Sequence, residues 1–337
     1  MTRPERSAPR MADVAARAGV SHQTVSRVLN GSATVKETTR QRVVAAIDEL
    51  GYRRNSAARA LVTRRSGVIG VVVAELSYFG PSSTVMGIAT AAREAGYSTV
   101  LASLHDVSAA AFVEGFDHVA SAGAEAVVLI APHHTDLDLG PGTDLSVPVV
   151  VLDGEGARIP LCVGVDQYAG GVLATQHLVD MGHRHIAHLG GPSEWFQAQQ
   201  RKRGWLDTMT RAGLVAPGPL VGDWSAASGY RLGQDLALDP ALTAVFAGND
   251  QMAIGLMRAL GEAGRRIPED VSVVGFDDIP EAAFLHPPLT TVRQDFTALG
   301  HEALRMLVGA LGGQDVESRL IPPMLMARAS TARARRR

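Results

Sequence analysis

A single cysteine, Cys162, occurs among the 337 residues, so a disulfide bond within the chain is excluded. It lies in the apolar stretch LCVGV, where we expect a small buried hydrophobe rather than a reactive thiol. No apolar run approaches the roughly 18 residues of a membrane-spanning helix, and the polar, basic residues 1–10 precede no apolar stretch of signal-peptide length. Secretion and membrane insertion are therefore not expected.

The chain also lacks the short motifs by which common enzymes bind phosphates, dinucleotides or zinc. It contains no GxxxxGK[ST], no GxGxxG after a strand, no HExxH, no pair of CxxC motifs and no GxSxG. No carboxylate or cysteine is grouped beside His183, His185 and His188, so packing and loop capping are favoured over a metal site. The doublet Asp277-Asp278 could act as acid and base, but nothing nearby supplies a nucleophile. Binding without turnover, with no cofactor and no metal, is expected.

Length and charge indicate a chain of several parts. With 46% hydrophobic and 20% charged residues, the sequence is that of a globular protein long enough for two or three domains. Residues 1–66 contain 13 Lys and Arg against 5 Asp and Glu, a charge of +8, whereas the whole chain carries −2, which leaves −10 on the remainder. A basic head on an acidic body favours a nucleic-acid-binding module, although such a segment can also be a solvated face.

The segment GVSHQTVSRVLNG at residues 19–31 predicts a helix that begins after Ser21. Val25, Val28 and Leu29 then share one buried stripe. The opposite face carries short or planar hydrogen-bonding groups instead of the usual Glu, Lys and Ala. These groups are His22, Gln23, Ser26, Arg27 and Asn30.

This helix is the second of three predicted over residues 11–51, and glycine follows each of them as a C-terminal stop. Only a few residues separate the first two, which is the spacing of a helix-turn-helix. In that motif the second helix enters the major groove, where Gln can read adenine and Arg can read guanine. The alternative is a small helical domain whose polar face meets water.

From residue 68 the pattern becomes an alternation of β runs and helical segments. Short apolar runs such as VIGVVVA, AVVLI, VPVVVL and VSVVGF are typical of strands covered on both faces. With helices between them, they predict an α/β fold of doubly wound parallel sheets. About 270 residues exceed one such sheet, so two subdomains with a cleft between them are expected.

Polar residues gather where the predicted strands end, and in open α/β sheets those ends face the ligand crevice. Asp153, Asn249 and Asp277 follow apolar runs, and the motif GDWSAASGY adds Trp224. An indole face beside carboxylates and carboxamides is suited to a sugar ring and its hydroxyls. For Trp224 alone a core role is nearly as probable, but the cluster as a whole favours a sugar site.

Residues 11–65 resemble the DNA-binding head and hinge of the lactose-repressor/galactose-repressor (LacI/GalR) family, through ADVAARAGVSHQTVSRVLNG and LGYRRNSAARAL. The resemblance continues through GVDQYAGGVLATQHLVDMGHRHIAHLGGP, GDWSAASGY, GNDQMAIGLMRAL, IPEDVSVVGFDD and PPLTTVRQD. It implies a homodimeric transcriptional repressor, located at the bacterial nucleoid in the cytoplasm, with pseudo-palindromic operator DNA and a small sugar as partners. Its body is expected to resemble a periplasmic binding protein.

The resemblance also implies the domain organisation. Residues 1–53 are expected to form the helix-turn-helix head, 54–66 the hinge helix and linker, 67–330 the effector-binding and dimerisation body, and 331–337 a basic tail. Within the body, one subdomain is expected at about 67–165 and 295–322, and the other at about 166–294 and 323–330. The ending ARASTARARRR carries no leucine heptad, so a four-helix tetramer joint is not expected.

Family roles map onto two groups of residues. The expected DNA contacts are Ser21, His22, Gln23, Thr24, Ser26, Arg27, Asn30, Tyr52, Asn55, Ala58 and Leu61, the last as a minor-groove wedge. The expected effector contacts are Tyr78, Phe79, Asp153, Trp195, Gln199, Trp224, Asn249, Asp277, Gln294 and Phe296.

Two departures from the family pattern are expected. Arg10 stands where a Ser or Thr usually caps the first helix, and Gln199 stands where an arginine is commonly aimed at the sugar. A shorter, uncharged Gln199 together with Trp195 one helical turn before it predicts a roomier cleft with an extra aromatic platform. A disaccharide or β-glycoside is therefore favoured over a monosaccharide.

Three other hypotheses remain: a sugar-binding transport component with a basic head, a regulator of a non-sugar ligand, and an enzyme with a regulatory head. The missing secretory signal and the complete helix-turn-helix disfavour the first, and chemical turnover of a candidate sugar would reveal the last.

Overall fold

The computed structural model describes residues 9–29, 31–52, 65–130, 147–153 and 161–335. The chain divides into two compact units, Met1–Ser66 and Gly67–Arg337. Among the described residues, no helix is both long and apolar enough to cross a bilayer.

In its described residues the first unit contains three helices, α1 (Met11–Ala18), α2 (His22–Leu29) and α3 (Glu37–Leu50), as the sequence predicts. They pack around a small core that includes Val14, Val25 and Val43, each 0% exposed. The Ser21 hydroxyl accepts a hydrogen bond from the backbone N–H of Thr24 at 3.1 Å, which confirms the predicted cap of α2.

The start of α1 compensates for the missing Ser or Thr cap. The Asp13 carboxylate accepts a hydrogen bond from the backbone N–H of Arg10 at 2.7 Å. An acidic side chain in the first turn also interacts favourably with the helix dipole. Arg10 therefore begins the helix through its backbone and not through its side chain.

The described part of the second unit contains two six-stranded sheets. Sheet one has the order β11-β5-β4-β3-β1-β2 and sheet two the order β12-β10-β9-β8-β6-β7. The strands are β1 (Val68–Val73), β2 (Ser98–Ser103), β3 (Ala126–Ile130), β4 (Val149–Leu152), β5 (Cys162–Val165), β6 (Ile186–Gly190), β7 (Leu220–Val221), β8 (Ala244–Ala247), β9 (Ser272–Asp277), β10 (Thr290–Arg293), β11 (Arg319–Ile321) and β12 (Met324–Met326). Among these described strands, all pairings are parallel except that of β10 with β12.

Helices cover these sheets, as predicted for a doubly wound α/β fold. Sheet one contacts α4 (Phe79–Glu94), α5 (Ala109–Ser121) and α10 (Phe296–Leu311). Sheet two packs with α6 (Gln167–Asp180), α7 (Phe196–Arg211) and α9 (Asp250–Glu262). Helix α8 (Ala226–Ala237) packs on α9, and a 3-10 helix spans Pro280–Phe284. The chain passes between the sheets at three points, after β5, after β10 and after β11.

The central strands of each sheet are buried on both faces, which explains why they read as continuous apolar runs. In β1, Val71 and Val73 pack in the same cluster as Leu299 of α10, whereas Val72 packs on the other face in the cluster of Phe112. Cys162 is the exception to the sequence analysis, because it lies half-buried at the first residue of β5 instead of inside the core.

The three histidines of GHRHIAHLGG bond to protein groups, as packing and capping predict. A ring nitrogen of His183 lies 3.0 Å from the Ser272 hydroxyl, and one of His188 lies 3.1 Å from the Phe246 carbonyl oxygen. His185 lies 3.0 Å from a carboxylate oxygen of Asp239. In the part of the chain that the structure describes, no group of three His, Cys, Asp or Glu side chains could hold a metal.

Candidate functional site

The main candidate site is a cavity where the carboxyl ends of strands from both sheets face each other. The space between the lining residues, open mouth included, is about 610 Å³. Sheet one contributes Ile130 and Leu152 at the ends of β3 and β4, and sheet two contributes Asp277 at the end of β9. The lining comprises Tyr78, Phe79, Gly80, Pro81, Thr84, Ile130, Leu152, Asp153, Trp195, Gln197, Arg201, Trp224, Asn249, Asp277, Gln294 and Phe296.

Gln199 is the one predicted effector residue that the structure places elsewhere. Its side chain is exposed and donates a hydrogen bond to the Ser193 carbonyl oxygen at 2.7 Å. On α7 the cavity is lined instead by Gln197 and Arg201, which share a face because they are four residues apart. The expected loss of an arginine is therefore wrong, and the extra room attributed to Gln199 has no basis. The expected position of Trp195 at the cavity does agree with the structure.

An aromatic row forms one wall of the cavity. The ring centroids of Tyr78 and Trp195 are 5.2 Å apart and those of Trp195 and Trp224 are 5.6 Å apart, both edge to face. Trp224 lies directly against the backbone of Gly191, where an added Cβ would overlap the indole. Glycine at this position thus allows the indole to reach the cavity wall.

The backbone is unusual at the strand ends that present polar and aromatic groups. Asp153, Trp224 and Asp277 have φ angles of 54°, 69° and 110°, a region that non-glycine residues rarely adopt. Such conformations persist only where the surrounding structure imposes them, and they cluster at functional sites. Here all three lie on the cavity.

Arg201 is buried and supplies the cationic group of the cavity. Its Nε donates to Gln167 Oε1 at 2.9 Å and its Nη1 donates to the Gly248 carbonyl oxygen at 2.6 Å. The guanidinium carbon lies 3.8 Å from the ring centroid of Phe276. These contacts fix the guanidinium, and its Nη2 lies 3.8 Å from Asp277 Oδ1.

Two carboxyl groups face this cation from different sheets. Burial raises the pKa of Asp277 to about 6, against the opposing effects of Arg201 and a hydrogen bond from Gln294. Burial also raises the pKa of Asp153, opposed by hydrogen bonds from Gln197 Nε2 at 3.1 Å and from the Val165 N–H at 3.1 Å. The hydrogen bond from Gln197 joins helix α7 of sheet two to a strand end of sheet one.

Asn249 lines the cavity, but its carboxamide already bonds to the protein. Its Oδ1 accepts from the Met252 N–H at 2.9 Å as the cap of α9, and its Nδ2 donates to the Trp224 carbonyl oxygen at 3.0 Å and to Gln251 Oε1 at 3.0 Å. The geometry of Asn249 is therefore better suited to holding Trp224 in place than to the expected direct contact with a ligand.

Two buried polar atoms of the cavity residues have no hydrogen-bond partner within the described residues. They are the side-chain oxygen of Gln197 and the indole nitrogen of Trp224. Burying an unpaired polar group is unfavourable, and such groups are found where a ligand or water completes the bonding. One acceptor and one donor are therefore available to a polar ligand.

The second candidate site is the polar face of α2 in the first unit. His22, Gln23 and Arg27 are exposed, while Thr24 and Ser26 are partly exposed. Tyr52 differs from expectation, because its side chain is only 8% exposed and packs in the core of this unit. The predicted DNA contacts Asn30, Asn55, Ala58 and Leu61 lie outside the described residues.

Fold and sites together define a class of protein, a helix-turn-helix regulator with a ligand-binding α/β body. Residues 10–55 match the family described as bacterial regulatory proteins, lacI family, and residues 175–331 match the periplasmic binding protein-like domain. The chain is 37% identical over 325 residues to the HTH-type transcriptional regulator CelR of Thermobifida fusca, covering 93% of this chain and 94% of that protein. It belongs to the LacI family of transcriptional regulators.

Two solved structures extend the comparison to the whole fold. One is the lac repressor dimer bound to operator and the anti-inducer ONPF, with a TM-score of 0.83, 33% identity, and coverage of 97% of this chain and 100% of the other. The second is the complex of the transcriptional regulator CelR with cellobiose, with a TM-score of 0.70, 34% identity, and coverage of 96% and 99%.

Proposed function

We propose that this protein is a homodimeric repressor whose binding to a pseudo-palindromic operator is released by a sugar in the cavity between the two sheets. The sugar is a disaccharide or β-glycoside, and it is bound without being chemically changed. The site of action is the bacterial cytoplasm, at the nucleoid. One observation carries the proposal: the aromatic row and the carboxyl, amide and guanidinium groups converge on one cavity.

The chemistry of the lining is suited to a neutral polyhydroxylated ring. Trp195 and Trp224 offer apolar surface to the C–H side of a sugar, while Asp277 and Asp153 accept hydrogen bonds from hydroxyls. The indole N–H of Trp224 and the side-chain oxygen of Gln197 add one donor and one acceptor without protein partners among the described residues. A sugar hydroxyl can accept a hydrogen bond from the indole N–H and donate one to the glutamine oxygen.

The aromatic row and kinship support a ligand of two rings. The row from Tyr78 through Trp195 to Trp224 extends over three aromatic rings whose successive centroids lie 5.2 and 5.6 Å apart. The related regulator CelR has been solved with cellobiose.

The DNA-binding half of the proposal rests on α2. Its exposed His22, Gln23 and Arg27 have the hydrogen-bonding patterns that read base edges, and its apolar stripe anchors the helix to the core. A two-fold dimer presents two such helices, which predicts two half-sites in inverted orientation.

The proposal is tested by calorimetric titration of the full-length protein with cellobiose, lactose, maltose, glucose, galactose, an amino acid and a purine base. We expect a disaccharide to bind tightest and to be recovered unchanged. Tightest binding by a monosaccharide would reject the two-ring ligand, binding by the purine or amino acid alone would reject a sugar effector, and hydrolysis of the sugar would reject binding without turnover.

Two glutamines on α7 provide a matched pair of variants. Gln197→Ala removes the cross-cleft hydrogen bond and the unpaired acceptor, so we expect at least a fivefold loss of sugar affinity, in line with roughly 1 kcal/mol for a lost hydrogen bond. Gln199→Ala changes an exposed residue of the same helix and is expected to leave the affinity unchanged. A larger loss of sugar affinity for Gln199→Ala than for Gln197→Ala would contradict the site assignment.

A further inference from the structure

Two buried glutamines join segments where the chain passes between the sheets. Gln167 follows β5 of sheet one and begins α6, which packs on sheet two. Gln294 follows β10 of sheet two and precedes α10, which packs on sheet one. Gln167 Nε2 donates to Gln294 Oε1 at 2.8 Å, and the two residues are 2% and 6% exposed. This hydrogen bond therefore ties two of the three crossings to each other.

The remaining polar atoms of the two carboxamides bond to the charged groups of the cavity. Gln167 Oε1 accepts from Arg201 Nε at 2.9 Å, and Gln294 Nε2 donates to Asp277 Oδ1 at 2.6 Å. Arg201 Nη2 and the same Asp277 oxygen are 3.8 Å apart. The four side chains form a closed ring, which we call the crossing ring: Arg201, Gln167, Gln294 and Asp277.

Gln167 differs from the other three members because it does not line the cavity. It nevertheless uses both ends of its carboxamide, one as acceptor and one as donor. Glutamate at this position could accept from Arg201 but could not donate to Gln294 when ionised. Methionine has a similar length and could make neither bond.

We propose that Gln167 is a positioning residue that couples the effector cavity to the crossings. A sugar hydroxyl that binds Asp277 or Arg201 must share or displace bonds of the crossing ring, and Gln167 transfers that change to the segment that joins β5 to α6. A ligand shifts a conformational equilibrium only through contacts that differ between the two arrangements, and the ring supplies such contacts. The inference rests on the proposed sugar response and adds how the response leaves the cavity.

The test separates sugar binding from its consequence. Full-length protein is titrated with a DNA duplex selected in vitro by the wild type, without cellobiose and at saturating cellobiose. The release ratio is the DNA dissociation constant with cellobiose divided by that without it. For the wild type we expect a ratio of at least about five, the lower end of typical allosteric coupling.

For Gln167→Met and Gln167→Glu we expect a release ratio below about two, while the cellobiose dissociation constant, measured without DNA, stays within tenfold of wild type. The matched control is Gln176→Met on the exposed face of the same helix, which removes a hydrogen bond to Asp180 and should keep the wild-type ratio. A merely structural role of Gln167 would lower stability without changing the ratio at saturation.

The outcomes are distinct. A wild-type ratio in either Gln167 variant overturns the inference and leaves the proposed function intact. The inference is also overturned if a Gln167 variant loses cellobiose binding together with its release ratio, because Gln167 would then act only on the affinity for the sugar. If the wild type binds neither cellobiose nor any other sugar in the panel, the proposed function fails and the inference fails with it.

Discussion

Asp250 is 0% exposed and lies behind the cavity, beside Asp277. It accepts hydrogen bonds from the Thr291 hydroxyl at 2.6 Å and from the Ile279 N–H at 2.9 Å. Burial, reinforced by the charge of Asp277, raises the pKa of Asp250 to about 8 from its ordinary 3.8. The folded protein therefore holds a protonated carboxyl at a pH where the unfolded chain holds a carboxylate.

The sign of the pH dependence follows from this raised pKa. Below about pH 4 the group is neutral in both states, and its contribution to stability is fully present. Between pH 4 and 8 the unfolded state loses the proton first, so that contribution is lost as the pH rises. Asp250→Asn cannot ionise, so we expect its stability relative to wild type to increase with pH, by up to about 1.4 kcal/mol per pH unit.

Urea unfolding between pH 5.5 and 8 measures this difference, with Asp270→Asn as the control. Hydrogen bonds from Arg266 hold the pKa of Asp270 well below its ordinary value, so this carboxyl is ionised in both states throughout the window. Its variant should show a constant difference from wild type. A flat difference for Asp250→Asn would mean that the buried carboxyl does not stay protonated.

At the level of single residues, the sequence predicts which regions supply side chains to the cavity. It is less informative about which residues of a helix point into the cavity. Asp153 and Asp277 could be placed at the cavity because each follows an apolar strand, and Trp224 because the motif GDWSAASGY adds an indole to that cluster. Gln199 was misplaced, since resemblance alone did not distinguish it from Arg201 two residues later. Applied to α7, the helical period would have favoured Gln197 and Arg201, which lie one turn apart and face inward.

At the level of elements, α2 is the clearest case of a sequence pattern that specifies both fold and function. Val25 and Val28 anchor one side of the helix, and Gln23 and Arg27 remain exposed on the other. Replacing Arg27 or Gln23 by Ala should reduce the discrimination between operator and single-base variants by roughly 1–3 kcal/mol.

The measurement compares dissociation constants for the selected duplex and a set of its single-base variants. Arg17→Ala is the control, because the Arg17 guanidinium pairs with a Glu49 carboxylate oxygen at 2.6 Å on α3. Any effect of Arg17→Ala should be similar for all sequences. If the Arg27 variant also weakened all sequences equally, Arg27 would be a phosphate contact and not a base reader.

The sequence pattern does not locate every element of the fold. Strands β7, β11 and β12 have two or three residues each, too few to show an alternation. Helix α4 begins at Phe79 with FGPSS, which reads as a turn although Pro81 lies in its first helical turn, where proline is tolerated. Pairing with neighbouring strands in both sheets, and packing on sheet one for α4, determine these elements more than local propensity does.

At the level of the whole molecule, DNA binding by the head and sugar binding by the body are linked through a coupling free energy. The basic residues of the head are suited to phosphates, while the cavity of the body is suited to a neutral sugar. Release of DNA by sugar requires that the two ligands bind preferentially to different arrangements of the same dimer. Because the coupling is reciprocal, sugar must lower the affinity for DNA by the same factor by which DNA lowers the affinity for sugar. A protein that bound both ligands without this coupling would not be a repressor released by sugar.

The most direct test measures both sides of that coupling on wild-type protein. Fluorescence anisotropy gives the affinity for the selected pseudo-palindromic duplex with and without cellobiose, and calorimetry gives the affinity for cellobiose with and without the duplex. The account predicts that saturating cellobiose weakens DNA binding at least fivefold and that the duplex weakens cellobiose binding by the same factor. Cellobiose that binds in the cavity and leaves DNA affinity unchanged, or raises it, would contradict the account.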